Sequence, residues 1–282
     1  MICECHGHII LDGIAYSGAV AHHRDGADEV FIRKNLKACE LNGITFYRDG
    51  GDKHMVSVFA KTIAGEYGID YRTPAYIIHK RGFYGAMFGR AFDSMAEYRE
   101  LVASAKRSGA DFIKITASGI LDFAHGGDLT GHPPAVEDIR EMIKIAHGEG
   151  FAAMVHANGA DNIKIALESG ADSIEHGFYI DEPALKAMAQ TGAVWVPTCA
   201  TAANLIGTGK YDDAALVNIL DSHKAAIKTA ASMGVLIASG SDAGASKVMQ
   251  GKGALDELDI LKPLGIDPAP GNRRISEVFR RT

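Results

Sequence analysis

Cysteine is scarce in this chain: Cys3, Cys5, Cys39 and Cys199 are the only four in 282 residues. They have neither the density nor the spacing of a disulfide framework, which fits a reducing compartment. Positive charge is not in excess either. The formal net charge of −6 argues against a nucleic-acid partner, which would favour a basic patch, and nothing points to an anionic membrane. No apolar run approaches the roughly 20 residues needed to span a bilayer. Ile2, Cys3 and Glu4 follow the first methionine with no basic start and apolar stretch, so no secretory signal is expected. Together these absences predict a cytoplasmic protein that acts on a small molecule, with a homo-oligomer open as its assembly.

What is present is a globular composition, 47% hydrophobic and 23% charged with no biased tract. Short strand-like runs alternate with longer helical stretches. The expected strands are Ile2–His8, Ile44–Arg48, Tyr71–His79, Phe112–Ile115, Ala152–His156, Ser173–His176, Val194–Pro197 and Leu236–Ser239. Between them "VEDIREMIKIAHGEG" carries Ile139, Met142, Ile143 and Ala146 at helical spacing. Similar stretches cover Glu29–Leu41, Val56–Tyr67, Met95–Ser108, Asn162–Ser169, Glu182–Gln190 and Ala214–Met233, and a weaker one starts near Ala254. A glycine closes most helices one to three residues before the next strand, as in "SGADFIKI" and "SGADSIEHG". Strand, helix, glycine and strand repeated eight times predicts an α/β fold, a (β/α)₈ TIM barrel over 1–282 as a single domain. The rival open doubly wound sheet lacks a G-x-G-x-x-G after its first strand.

In such a barrel the C-terminal strand ends form the active face. His6 and His8 share one side of the first strand by alternation, while Cys3, Cys5 and Gly7 point the other way, which argues against a Cys/His zinc ribbon. Lys114 lies between Ile113 and Ile115, an expensive place for a lysine unless it is paired or neutralised. A Schiff-base amine and a metal-site residue both fit that position. His156 and His176 end the fifth and sixth strands, and Asp242 follows the eighth in a glycine-flanked turn. Converging on one barrel mouth, these four imidazoles and the carboxylate suit Zn²⁺ or a similar divalent metal, with room for two ions.

The segments "CHGH", "ITFYRDGG", "FIKITASG", "VHANG", "SIEHG" and "ASGSDAG", in that order from Cys5 to Gly244, resemble the amidohydrolase superfamily. The likeness is to its binuclear-metal members, the prolidase-like and imidazolonepropionase-like hydrolases. The resemblance implies His6, His8 and Asp242 on one metal, His156 and His176 on the other, and Lys114 carboxylated by CO₂ to bridge them. Most such relatives add a small β-domain built from both termini. Here the first strand begins at residue 2 and the chain ends in "PAPGNRRISEVFRRT", so the barrel is expected largely without that domain, standing alone or shortened.

Two cations about 3.5–4 Å apart share a water and lower its pKa toward 7. The expected reaction is attack by that bridging hydroxide on an amide carbonyl, with Asp242 taking the proton and delivering it to the departing amine. A dipeptide or N-acyl amino acid is the leading substrate class. A cyclic amide, lactone or carbamate would be served by the same centre, while a lyase using Lys114 or a non-catalytic metal-binding barrel are the other readings. Candidate substrate contacts are Tyr179, His125, His132 and Arg48, the last able instead to pair with Asp49 or Asp52. His147 and His223 read as structural.

Overall fold

Residues 2–280 are described by a computed structural model. β-branched and aromatic residues fill its short strands: β1 (Ile2–Gly7), β2 (Ile44–Asp49), β3 (Asp70–Arg72), β4 (Ile77–Lys80), β5 (Gly89–Phe92), β6 (Ile113–Thr116), β7 (Leu121–Asp122), β8 (Asp128–Leu129), β9 (Ala153–Ala157), β10 (Ser173–His176) and β11 (Val194–Val196). One parallel sheet runs β1-β2-β3 and a second β11-β10-β9-β6-β4-β5, with β7 and β8 as a small antiparallel pair.

The run expected as a single third strand, Tyr71–His79, is broken. Pro74 interrupts it with no N–H to donate, and Ala75 takes a left-handed backbone with φ 67. Thr73 Oγ1 accepts from Ala75 N at 3.0 Å and holds the kink. The chain therefore pairs with β2 through β3, and with β6 through β4. This kink carries the ring of strands from one sheet into the other.

The eighth expected strand is reduced to single bridges. Trp195 N donates to Leu236 O, Ala238 N to Trp195 O and Cys5 N to Ser239 O, and Gly7 bridges Ala243. Side chains take backbone N–H groups in this segment and just after it: Ser239 N donates to Asn272 Oδ1 and Ser241 N to Glu4 Oε1, each at 2.8 Å. The circuit still passes from β11 through 236–239 to β1, so the architecture is a TIM-barrel-like α/β fold.

Helices pack outside the strands by their apolar faces. Val136–Gly148 buries Ile139, Met142, Ile143 and Ala146, as its spacing predicts. Asp28, Asp181 and Asp212 each cap the helix that follows by accepting from a backbone N–H of its first turn. The expected Val56–Tyr67 helix tightens after Val56–Ile63 into a 3₁₀ turn at Ala64–Tyr67. The last helix, Ala269–Val278, was not expected; its Ile275, with Phe279 just beyond, packs with Cys3, Cys5, Phe46, Phe112, Met154, Val194 and Val196. Among the described residues no helix is long and apolar enough to cross a membrane.

Candidate metal centre and its cavity

Residues 6–8 alternate, so His6 and His8 face the cavity as their spacing predicts. A register shift between Glu4 and Gly7 breaks the alternation before them, and Cys3 and Cys5 pack with Phe46, Phe112 and Val196 instead of on the face opposite the histidines. His6 Nδ1 donates to Glu175 Oε2 at 2.8 Å, so its Nε2 keeps a lone pair. That Nε2 lies 2.8 Å from Lys114 Nζ and 3.7 Å from Asp242 Oδ1, while His8 Nε2 is 3.5 Å from the same carboxylate oxygen. Ligand atoms of His6, His8 and Asp242 all fall within 4.8 Å of one another. His176 is the next ring, its centroid 4.9 Å from that of His6, and His156 lies 4.6 Å beyond it. His156 Nε2 donates to Gly119 O at 2.9 Å, which leaves its Nδ1 as the lone-pair nitrogen. His176 Nδ1 meets Thr198 Oγ1 at 2.8 Å. All six side chains line one cavity.

Backbone conformation helps to aim these groups. Glu175 and His176 are neighbours on β10, and regular alternation would send them to opposite faces. His176 instead has φ 66, and both side chains reach His6. Asp242 has φ 61, in the left-handed region where Asp, Asn and His are the least penalised of ordinary residues. The "DGG" after Arg48 serves His8. Asp49 accepts from Ile9 N and Gly51 N, and a Cβ on Gly50 would fall 2.2 Å from His8 Cε1.

Burial sets the charge states. It pushes His6, His8 and His176 well below their usual range and His156 to about 4, so all four rings are neutral near pH 7. It also lowers Lys114 to about 8 and raises Asp242 to about 6. Neutral imidazoles with oriented lone pairs, a carboxylate and an amine that loses its proton readily fit a divalent metal centre.

The four residues expected to contact substrate do not line this cavity. Arg48 is fully buried and forms its ion pair with Glu175 instead of Asp49 or Asp52. Its guanidinium donates to Glu175 at 2.8 and 2.9 Å, to Cys5 O at 2.6 Å and to Ser173 Oγ at 3.0 Å, and stacks 4.3 Å over Phe279. It braces the carboxylate behind His6 instead of meeting solvent. Tyr179 donates to Gly127 O at 2.8 Å and is not part of the cavity lining. His125 pairs with Asp122 on the surface, and His132 is exposed; neither lines the cavity. Alanine at His125 or at His132 is expected to change kcat/KM by no more than about twofold, the scale of ordinary surface substitutions. A tenfold loss in steady-state assays would bring that histidine to the substrate. His147 and His223 are structural as expected, bonded to Asp172 and to Pro197 O.

The cavity wall was largely unforeseen. Tyr16, Tyr84, Phe88, Phe123, Lys210 and Tyr211 line it, and all lie in segments between strands. The sequence signal was positional only: such loops follow strand ends and build the mouth of a barrel.

A profile of the amidohydrolase family matches residues 25–266, a span that begins after His6 and His8. Ochratoxinase from Aspergillus niger is 28% identical over 207 residues, covering 71% of this chain and 41% of that protein; the match thus spans less than half of the relative. The solved structure of A. niger ochratoxinase superposes with a TM-score of 0.74 at 22% identity, over 98% of this chain and 69% of the other. A Xaa-Pro dipeptidase crystallised with methionine in its active site gives 0.73 at 21% identity, over 98% and 72%. Molinate hydrolase gives 0.74 at 15% identity, over 98% and 72%. At these identities the superpositions establish a shared fold.

Proposed function

This chain belongs to the amidohydrolase family, and we propose that it hydrolyses the amide bond of a small dipeptide or N-acyl amino acid. His6, His8 and Asp242 would hold one divalent ion, His156 and His176 a second, and carboxylated Lys114 both, with zinc as the metal. The observation that carries the reading is the set of four neutral imidazoles around Lys114 and Asp242 in one cavity, with His6 oriented by Glu175. Divalent ions bound there supply an activated water and polarise a carbonyl.

The protein's own groups do the rest. Lys114, lowered to about 8, gives up one proton to become a neutral amine; that amine forms an N–C bond to CO₂ and loses a second proton, so an anion would replace the ammonium cation beside His6. Asp242, facing His6 and His8, accepts a proton from the nucleophile and returns it to the departing nitrogen. A Schiff-base role for Lys114 would leave the four imidazoles without a task.

A screen of protein loaded with zinc or manganese in bicarbonate, against dipeptides and N-acyl amino acids, tests this. Two ions per chain with turnover of at least one amide are expected. Metal without turnover across the amide panel would leave a metal-binding barrel only, and trapping of a carbonyl substrate on Lys114 by borohydride would favour the lyase.

A further inference from the structure

Beyond the metal candidates, the cavity of about 800 Å³ is walled mainly by apolar and aromatic side chains, among them Tyr16, Phe88, Ile120 and Phe123. Ile120 is 43% exposed and Tyr16 39%, a cost that an apolar ligand portion would offset. Apart from the metal candidates, two charged residues line it, Asp122 and Lys210. Asp122 is engaged: one oxygen accepts from Ala124 N at 2.9 Å and the other faces His125 Nδ1 at 2.7 Å.

Lys210 is different. Among the described residues no carboxylate lies within ion-pair distance of its ammonium. Its contacts are Ser246 Oγ at 3.3 Å and the face of Tyr211 at 5.0 Å. Neither neutralises it, and both hold the amine at the mouth on the side of Ser246, four residues beyond Asp242. Outside the metal set, Lys210 is the one lysine or arginine among the described residues that line the cavity, and Arg48, for which an anionic substrate group was one of two readings, does not line it.

We propose that Lys210 binds the free carboxylate of the substrate, which narrows the class to acylated amino acids or peptides that carry a terminal carboxylate and a bulky apolar group. The inference rests on the hydrolase reading for its substrate class, and its test separates the two. Zinc-loaded Asp242→Asn protein, in which turnover is expected to be too slow to disturb the titration, is titrated calorimetrically with N-benzoyl-phenylalanine and with its uncharged carboxamide. A monodentate charge-assisted contact predicts about tenfold tighter binding of the acid. Lys210→Met in that background should bring the acid to the level of the amide and leave the amide unchanged, while Lys210→Arg should retain most of the preference.

Equal binding of acid and amide, failure of both to bind, or a preference that survives Lys210→Met, as direct metal–carboxylate binding would give, overturns the assignment. Turnover by the unsubstituted enzyme is measured separately. Preference lost with Lys210→Met but no amide cleaved would uphold the anion subsite and remove the hydrolase; cleavage with no preference would do the reverse.

Discussion

Asparagine in place of Asp242 should lower kcat by about a thousandfold while metal content stays at the unsubstituted level. A positioned proton carrier contributes about 10²–10⁴ in rate, and Asn keeps the shape and one oxygen but carries no proton between nucleophile and leaving group. It also tolerates the left-handed backbone at φ 61, so the turn after the eighth strand segment survives. Alanine lacks both the oxygen and that tolerance and should lose metal as well. The measurement is kcat together with metal counted per chain. A rate within tenfold of normal in the Asn protein would take Asp242 out of the proton path.

Methionine in place of Arg48 should destabilise the fold by about 3–5 kcal/mol, the usual cost of leaving one partner of a buried ion pair alone. Arg48 and Glu175 are both fully buried, joined at 2.8 and 2.9 Å, and Ser173 Oγ also donates to Glu175. Burial pushes the Glu175 carboxyl upward, and the Arg48 guanidinium beside it opposes that shift. With Arg48 gone, the carboxylate either stays charged without compensation or takes up a proton and ceases to fix the tautomer of His6. The second route should weaken metal binding by at least tenfold, in line with losing a partner that orients a ligand. Urea denaturation gives the stability and competition with a chelator gives the affinity. Pairing Arg48→Met with Glu175→Gln should recover part of the stability, because the orphaned charge is then removed. A loss under 1 kcal/mol in the single variant would mean the pair is not an energetic unit.

How much of this could be read in advance depends on whether the signal is local. The shared face of His6 and His8 follows from alternation within one strand, and the core face of Val136–Gly148 from helical spacing; both need only neighbouring residues. The meeting of Lys114, His156, His176 and Asp242 follows once the strand order is known. Pro74 is a local signal against one unbroken strand over Tyr71–His79, but the apolar residues on both sides suit strand as well, and only the structure shows the break. Arg48 finding Glu175 was not legible, since alternation sends Glu175 away from His176 and only the positive φ at that histidine lets both reach His6. Lys210 and Tyr211 sit in "GTGKYDD", a loop with no periodicity, and their place at the mouth is set by where the preceding strand ends.

The seam between the two sheets, where 236–239 makes only single bridges, is stitched by side chains, and one of its stitches, Asn272, comes from the helix Ala269–Val278. Ser239, which Asn272 holds, is three residues before Asp242. The floor and the rim of the molecule are therefore tied by one short cord. Disturbing Asn272 should travel up it to the turn that carries Asp242.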